Sequence, residues 1–419
     1  MRLSVLLLFF PIVAFAQEEI TLEDCYRLAR EHYPIVQKLD LITKSEDYTL
    51  ANANKAYLPQ VSLSAQATYQ SETIDFAQSL GRLPRLITLP EVSKDQYKVI
   101  GEVSQLLYNG GATRTQKQLA QAQSAVQKQT IEVQLHALKQ RISNLYFGIL
   151  LIEAQLGQNH LNTETLQSQL QKAEVALRNG TILPSSVAEL KAELLRLAMQ
   201  RTEYEATKGM YLKMLSTFIG KDLPFDTALQ RPQPRALSRS NHRPELRGFD
   251  LQQKVLDAQE RLLTSEYLPK IALFFQGAYG RPTLNIIKNE FDWYYITGVR
   301  LQWNLSPLYS LSNKKQLLHL QGESLLADRK AFMMSTELDL VQQDQQIKKL
   351  HTLIAQDKES VALRHSVAQA AQVQLDNGVI TTHEYLQKVN AEHLAQQTLL
   401  LHEIQLLQAQ QNYSLLTND

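Results

Sequence analysis

Two hydrophobic patterns follow one another along the chain, one with helical and one with strand periodicity. Residues 111–178 and 310–376 contain no proline. In the second segment apolar residues recur every seven positions, with one eight-residue step, at Leu311, Leu318, Leu325, Phe332, Leu340, Ile347, Ile354 and Val361. Such a repeat predicts a long helix with a packing seam of the coiled-coil type. Shorter helices are predicted by apolar spacing and by proline and glycine stops at 21–56, 185–217, 243–266 and 381–416.

The second pattern alternates apolar and polar residues over about ten positions, which is typical of transmembrane strands. It predicts strands at 60–70, 97–107, 270–280 and 292–305. Aromatic residues, which favour a membrane–water interface, lie near the strand ends at Tyr97, Tyr108, Trp293, Tyr294 and Trp303. Strands of a soluble sandwich show the same alternation, so the pattern alone leaves both possibilities open.

The helices and strands occur twice in the same order. Tyr57-Leu58-Pro59 recurs as Tyr267-Leu268-Pro269, and Asn179-Gly180 recurs as Asn377-Gly378. Ordered matches of this kind predict a tandem repeat with a period near 200 residues. The predicted organisation is a first repeat at 17–220, an irregular linker at 221–240 and a second repeat at 241–419.

The first 16 residues are predicted to be a signal peptide. Arg2 precedes an apolar run from Leu3 to Val13, and Ala14-Phe15-Ala16 fits a cleavage site. We therefore expect an exported protein whose mature chain begins at Gln17.

Composition argues against several classes of function. The net charge is +1 and no basic run stands out, so no nucleic-acid partner is expected. The one cysteine, Cys25, cannot form an internal disulfide or a cysteine-based zinc site, and we expect it to be a small buried residue. His383-Glu384 and His402-Glu403 lack the second histidine of a zinc-protease motif. We therefore predict no cofactor, no metal and no enzymatic activity.

Four motifs, in this order, resemble the TolC-like outer-membrane efflux family. They are Thr21-Leu22-Glu23-Asp24, Tyr57-Leu58-Pro59, the strand exit Leu107-Tyr108-Asn109-Gly110-Gly111 with Gln105 before it, and Arg243-Pro244-Glu245-Leu246. The resemblance covers essentially the whole mature chain. One departure is the second strand exit, Asn304-Leu305-Ser306-Pro307, which lacks the paired glycines.

The resemblance implies a mostly α fold with a β-barrel portion. Each subunit of a homotrimer would contribute four transmembrane strands to a twelve-stranded barrel in outer-membrane lipid, and long coiled-coil-like helical hairpins would form a tunnel in the periplasm. The implied function is an exit duct for a tripartite efflux or type I secretion system, with a periplasmic adaptor and an inner-membrane pump as partners. The alternative prediction is a soluble periplasmic coiled-coil scaffold.

Candidate functional residues lie at the hairpin tips. The resemblance implies that an adaptor docks at these tips, at Arg178, Asn179, Gly180, Thr181, Asn377 and Gly378. An acidic ring at the periplasmic gate is predicted at Glu384, with Asp376 as the alternative. Three crowded carboxylates would be expected to raise the pKa of Glu384.

Overall fold

The order of helices and strands follows the sequence pattern. The computed structural model describes residues 19–74, 92–233, 238–285 and 289–418, so the predicted signal peptide lies outside the described residues. The elements are α1 (Leu22–His32), α2 (Gln37–Asn54), β1 (Gln60–Tyr69), β2 (Asp95–Tyr108), α3 (Ala112–Arg178), α4 (Pro184–Ile219), α5 (Pro244–Glu266), β3 (Lys270–Arg281), β4 (Asp292–Gln302), α6 (Leu308–Asp376) and α7 (Thr382–Thr417). Within these ranges we find no helix with the length and apolar content needed to cross a bilayer.

The segment predicted as one helix at 21–56 is divided at Tyr33. Tyr33 has an extended backbone, with φ −64° and ψ 123°, and Pro34 begins a short 3-10 turn before α2. Proline disfavours helical backbone at the residue before it, and this explains the division. A capping box begins α1: the Thr21 hydroxyl accepts the Asp24 N–H at 3.0 Å and donates to the Asp24 carboxylate at 2.6 Å.

The chain forms two compact units, and each unit draws on both predicted repeats. Of the described residues, the first comprises 19–39, 130–233, 238–246 and 330–418, and the second comprises 40–74, 92–129, 247–285 and 289–329. The predicted linker therefore falls inside the first unit. The tandem repeat stays a prediction about the sequence.

Apolar side chains join the two helical hairpins within the first unit. One buried cluster combines residues of α3 and α4 with residues of α6 and α7: Leu166, Ala173, Val187, Leu190, Leu197, Ala368, Ala371, Tyr385, Leu386 and Val389. A second cluster joins α6 to α7 and contains Leu340 and Ile347, two members of the seven-residue series. The predicted seam is thus the packed side of α6. Burial of each large side chain stabilises the unit by roughly 1.5–3 kcal/mol.

The linker is held against the N-terminal segment of the same unit. The hydroxyl of Tyr146, a fully buried residue, lies 2.8 Å from the Ile20 carbonyl oxygen and 2.6 Å from that of Gln230. Gln230 also donates its N–H to the Ile20 carbonyl at 3.1 Å. Cys25 is fully buried as expected, and burial raises the pKa of its thiol to about 12.

The second unit contains an antiparallel four-stranded sheet in the order β1-β2-β3-β4. Leu63 lies opposite Gly101, Gly101 opposite Gly277, and Gly277 opposite Tyr295. A bulge shifts the register of β2 between Leu106 and Tyr108. Among the described residues, β1 and β4 each pair along one side only.

Candidate functional site

One face of the sheet is apolar and exposed. The register places every second residue of the four strands on this face, and thirteen of its large apolar side chains are 39–79% exposed. They are Val61, Leu63, Tyr69, Tyr97, Val99, Val103, Leu273, Phe275, Tyr279, Trp293, Tyr295, Val299 and Leu301. An apolar surface that continues across a whole sheet indicates contact with lipid or with another protein.

The opposite face of the sheet is polar and carries a charge pair. Arg300 Nη1 donates to Glu102 Oε1 at 2.9 Å, and the Gln276 amide between them donates to the other Glu102 oxygen. The Arg300 guanidinium also lies over the Phe274 ring, 4.5 Å from its centroid. Sequence reasoning missed this group because its members come from strands far apart in the chain, and only the register brings them together.

At one end of the sheet, four aromatic side chains form a contiguous group. The Tyr279 ring lies 5.1 Å from Trp293 and 5.9 Å from Phe291, and Phe291 lies 6.1 Å from Tyr97. Tyr97 and Trp293, two of the predicted interface residues, are thus connected through Phe291 and Tyr279. Phe291 lies just before β4 and was not among the predicted interface residues. Tyr294 is separated from them, because its position in the register places it on the polar face.

The other end of the sheet carries Tyr108 and Trp303, which are 46% and 55% exposed. Trp303 donates its indole N–H to the Tyr267 carbonyl at 3.0 Å. Tyr108 follows the β2 bulge and pairs with Ile271. Each end of the sheet thus carries aromatic residues, as the sequence pattern predicts.

The two hairpin tips have the same backbone geometry. Gly180 and Gly378 have φ values of +74° and +72°. At the first tip, Gly180 and Thr181 donate their N–H groups to Leu177 and Ala176, and at the second tip the equivalent bonds are present. This is the Schellman arrangement that ends a helix at a left-handed residue. A Cβ added at either glycine would have no neighbouring atom within 4 Å. Glycine is therefore favoured at both tips by the positive φ and not by a lack of space for a side chain.

The predicted tip residues are exposed and the hairpins are linked just behind them. Arg178, Asn179, Gly180, Thr181, Asn377 and Gly378 are all exposed. Gln372 donates to Gln169 at 2.8 Å, and Lys172 lies 3.6 Å from Asp376. These contacts join α3 to α6. Asp376 is therefore engaged in a bond between hairpins.

Glu384 has a local structural role at the start of α7. Its carboxylate accepts the Thr381 N–H at 2.8 Å and the Thr381 hydroxyl at 3.0 Å, and its own N–H donates to that hydroxyl. This is a capping box at the start of α7. The backbone hydrogen bond from Thr381, followed by the hydroxyl bond, lowers the pKa of Glu384 within the single chain. The cap thus opposes the rise expected from crowded carboxylates.

Solved structures of outer-membrane channels are similar in fold to this chain over 85–94% of their own length. The outer membrane protein VceC from Vibrio cholerae is 14% identical, with a TM-score of 0.66 and 94% of each chain covered. CusC, described in relation to transmembrane channel formation, is 12% identical, with a TM-score of 0.70 over 94% of this chain and 91% of that one. The outer membrane channel CmeC of Campylobacter jejuni is 13% identical, with a TM-score of 0.66 over 94% and 85%.

The chain has the fold of these channels. The predicted resemblance to TolC-like proteins is therefore confirmed at the level of the fold, as are the long helical hairpins and the four strands per chain. The sequence matches no protein-family model and no curated protein.

Proposed function

We propose that this protein is an outer-membrane channel that passively conducts cargo to the exterior, with three copies closing one twelve-stranded barrel. The observation that supports this most is the sheet, with one exposed apolar face, one polar face and two edges that pair with no other described strand. In lipid, each unsatisfied backbone group costs several kcal/mol, so β1 and β4 need neighbouring copies. The number three comes from the resemblance to TolC-like proteins.

The spacing of the aromatic residues fits the thickness of an outer membrane. Trp293 and Trp303 are ten residues apart, which corresponds to ~33 Å along an extended strand. A strand tilt of ~40° reduces this to ~25 Å, about the height of the apolar band on bacterial barrels. The two aromatic groups would then lie at the two membrane surfaces.

Exposed apolar residues on α6 also support an oligomer. Leu317, Leu326 and Met334 are 60%, 52% and 67% exposed, on sides of the helix away from its packed seam. A single chain in water would leave these side chains hydrated, whereas a second copy would cover them.

The test of the channel is localisation followed by electrical recording. The mature protein should be found in the outer-membrane fraction, require detergent for extraction, migrate as three chains and form conducting pores in planar bilayers. The alternative, a soluble periplasmic scaffold, predicts release by osmotic shock and no conductance. A water-soluble monomer would refute the channel.

We further propose that the hairpin tips dock a periplasmic adaptor connected to an inner-membrane pump. Support comes from the exposed tip residues and from the apolar side chains beside them, including Val379 at 71% and Leu183 at 70% exposed. Thr181 is a poor position for a test, because its hydroxyl donates to the Ala176 carbonyl at 2.9 Å and stabilises the turn. Arg178 and Val379 are better positions.

The docking test combines Arg178→Glu with Val379→Glu and measures crosslinking to the copurifying adaptor and cargo export. Both should fall, while outer-membrane assembly should be unchanged. Lys213→Glu, at an exposed position on α4 remote in sequence from the tip, is the control for the charge reversal in Arg178→Glu. Unchanged crosslinking in the double variant would count against docking at the tips.

A further inference from the structure

A cavity of about 810 Å³ lies on the polar face of the sheet, where the strands adjoin the end of α2 and the start of α3. Its charged lining residues are Lys55, Lys270 and Arg300, and none of the described residues that line it carries a carboxylate. All the lining residues belong to the second compact unit. The cavity therefore presents three cations to one solvent-filled space.

Two of the three cations have no partner among the residues that the structure describes. In the described part of the chain, neither the Lys55 ammonium nor the Lys270 ammonium forms an ion pair or a hydrogen bond. Arg300 differs, because Glu102 holds its guanidinium at 2.9 Å. The unneutralised charge at the cavity is thus that of the two lysines, while the Arg300–Glu102 pair fixes one wall.

The remaining lining can also recognise oxygen atoms. The side-chain amides of Asn52 and Gln302 line the same cavity, and each can donate two hydrogen bonds. Concave surfaces of one charge sign concentrate ions of the opposite sign more effectively than flat surfaces. Lysine ammonium groups and amides together suit the charge and the several acceptor oxygens of a polyvalent oxyanion.

We propose that this cavity is a binding site for a polyvalent oxyanion, of which a diphosphate group is representative. The inference rests on the proposed function in one respect, since the polar face would line the channel and the site would then act on anionic cargo in transit. Binding itself requires only the folded second unit, which supplies every residue of the cavity. Lys98 lies on the same polar face but outside the cavity, and it provides a matched control.

The experiment is calorimetric titration of the detergent-solubilised full-length protein with inorganic pyrophosphate at low salt. We expect saturable binding of one pyrophosphate per chain that weakens as salt is added, because ~0.1 M salt screens exposed charges beyond ~10 Å. Removing both charges with Lys55→Gln and Lys270→Gln should weaken binding by at least about tenfold. Lys98→Gln should change it by less than about twofold, and Lys270→Arg should preserve it.

Three results would refute the proposed site. They are absence of pyrophosphate binding by the parent protein, a double variant that binds as tightly as the parent, and a loss of affinity in Lys98→Gln as large as that in the double variant. Circular dichroism of each variant separates lost binding from lost folding, and Lys270→Arg retains the charge at the same position. Planar-bilayer recording separates the two proposals: binding without conductance would refute the channel and leave the site, whereas conductance without binding would refute the site alone.

Discussion

An arginine scan of two adjacent residues in β1 tests which face of the sheet meets lipid. Leu63 lies on the apolar face and is 79% exposed, and Ser64 lies on the polar face one residue later. They face Gly101 and Ile100 on β2, near the middle of β1, so both would lie at nearly the same depth in a membrane. Leu63→Arg and Ser64→Arg therefore place an arginine on opposite faces of the sheet at nearly the same depth in the membrane.

The expected magnitudes follow from the medium on each side. Arginine on the lipid side of a barrel near the bilayer midplane costs roughly 2–4 kcal/mol, whereas a residue facing the aqueous interior can keep its charge hydrated. We therefore expect Leu63→Arg to destabilise the folded protein by about 2–4 kcal/mol per chain. Ser64→Arg should cost less than about 1 kcal/mol.

Urea-induced unfolding of the protein in lipid vesicles measures both values, and the amount of assembled protein in the outer-membrane fraction gives a second readout. A soluble protein would show the reverse tendency, because arginine at an exposed apolar position in water is neutral or improves solubility. Equal effects of the two substitutions, or a larger effect of Ser64→Arg, would refute the assignment of the faces.

Gly180→Ala and Gly378→Ala should each destabilise the protein by about 1–2 kcal/mol in urea unfolding, because both residues have positive φ. Gly157→Ala, within α3 and with open space around the added Cβ, should instead stabilise it by up to about 1 kcal/mol. In planar bilayers, Glu384→Ala should weaken cation selectivity and block by multivalent cations added from the periplasmic side; if only Asp376→Ala does so, the acidic ring belongs to Asp376. Capping lowers the pKa of Glu384, so its stabilisation of α7 should be complete above the ordinary value of 4.5 and be lost as pH falls through the lower folded value. Unfolding curves of Glu384→Gln and the parent protein should therefore converge in acid.

The sequence by itself determined most of the local structure. The seven-residue series predicts the packed side of α6, and alternation predicts the four strands within a few residues of their observed ends. Asn-Gly pairs mark both hairpin tips. These features depend on neighbours a few residues away, so periodicity and proline or glycine stops suffice to find them. Pro34 is visible in the sequence as well. Because proline disfavours helical backbone at the residue before it, the division of the first helix at Tyr33 could have been predicted.

Only the tertiary structure decided which distant residues meet. A shift of one residue in strand pairing moves every side chain to the other face, and the bulge near Leu106 alters that pairing within β2. The Glu102–Arg300 pair, the contact of Phe291 with Tyr97, and the approach of Lys270 to Arg300 at the cavity all depend on strand order and register. Alternation in a single strand predicts two faces, but pairing between strands determines which charges share one of them.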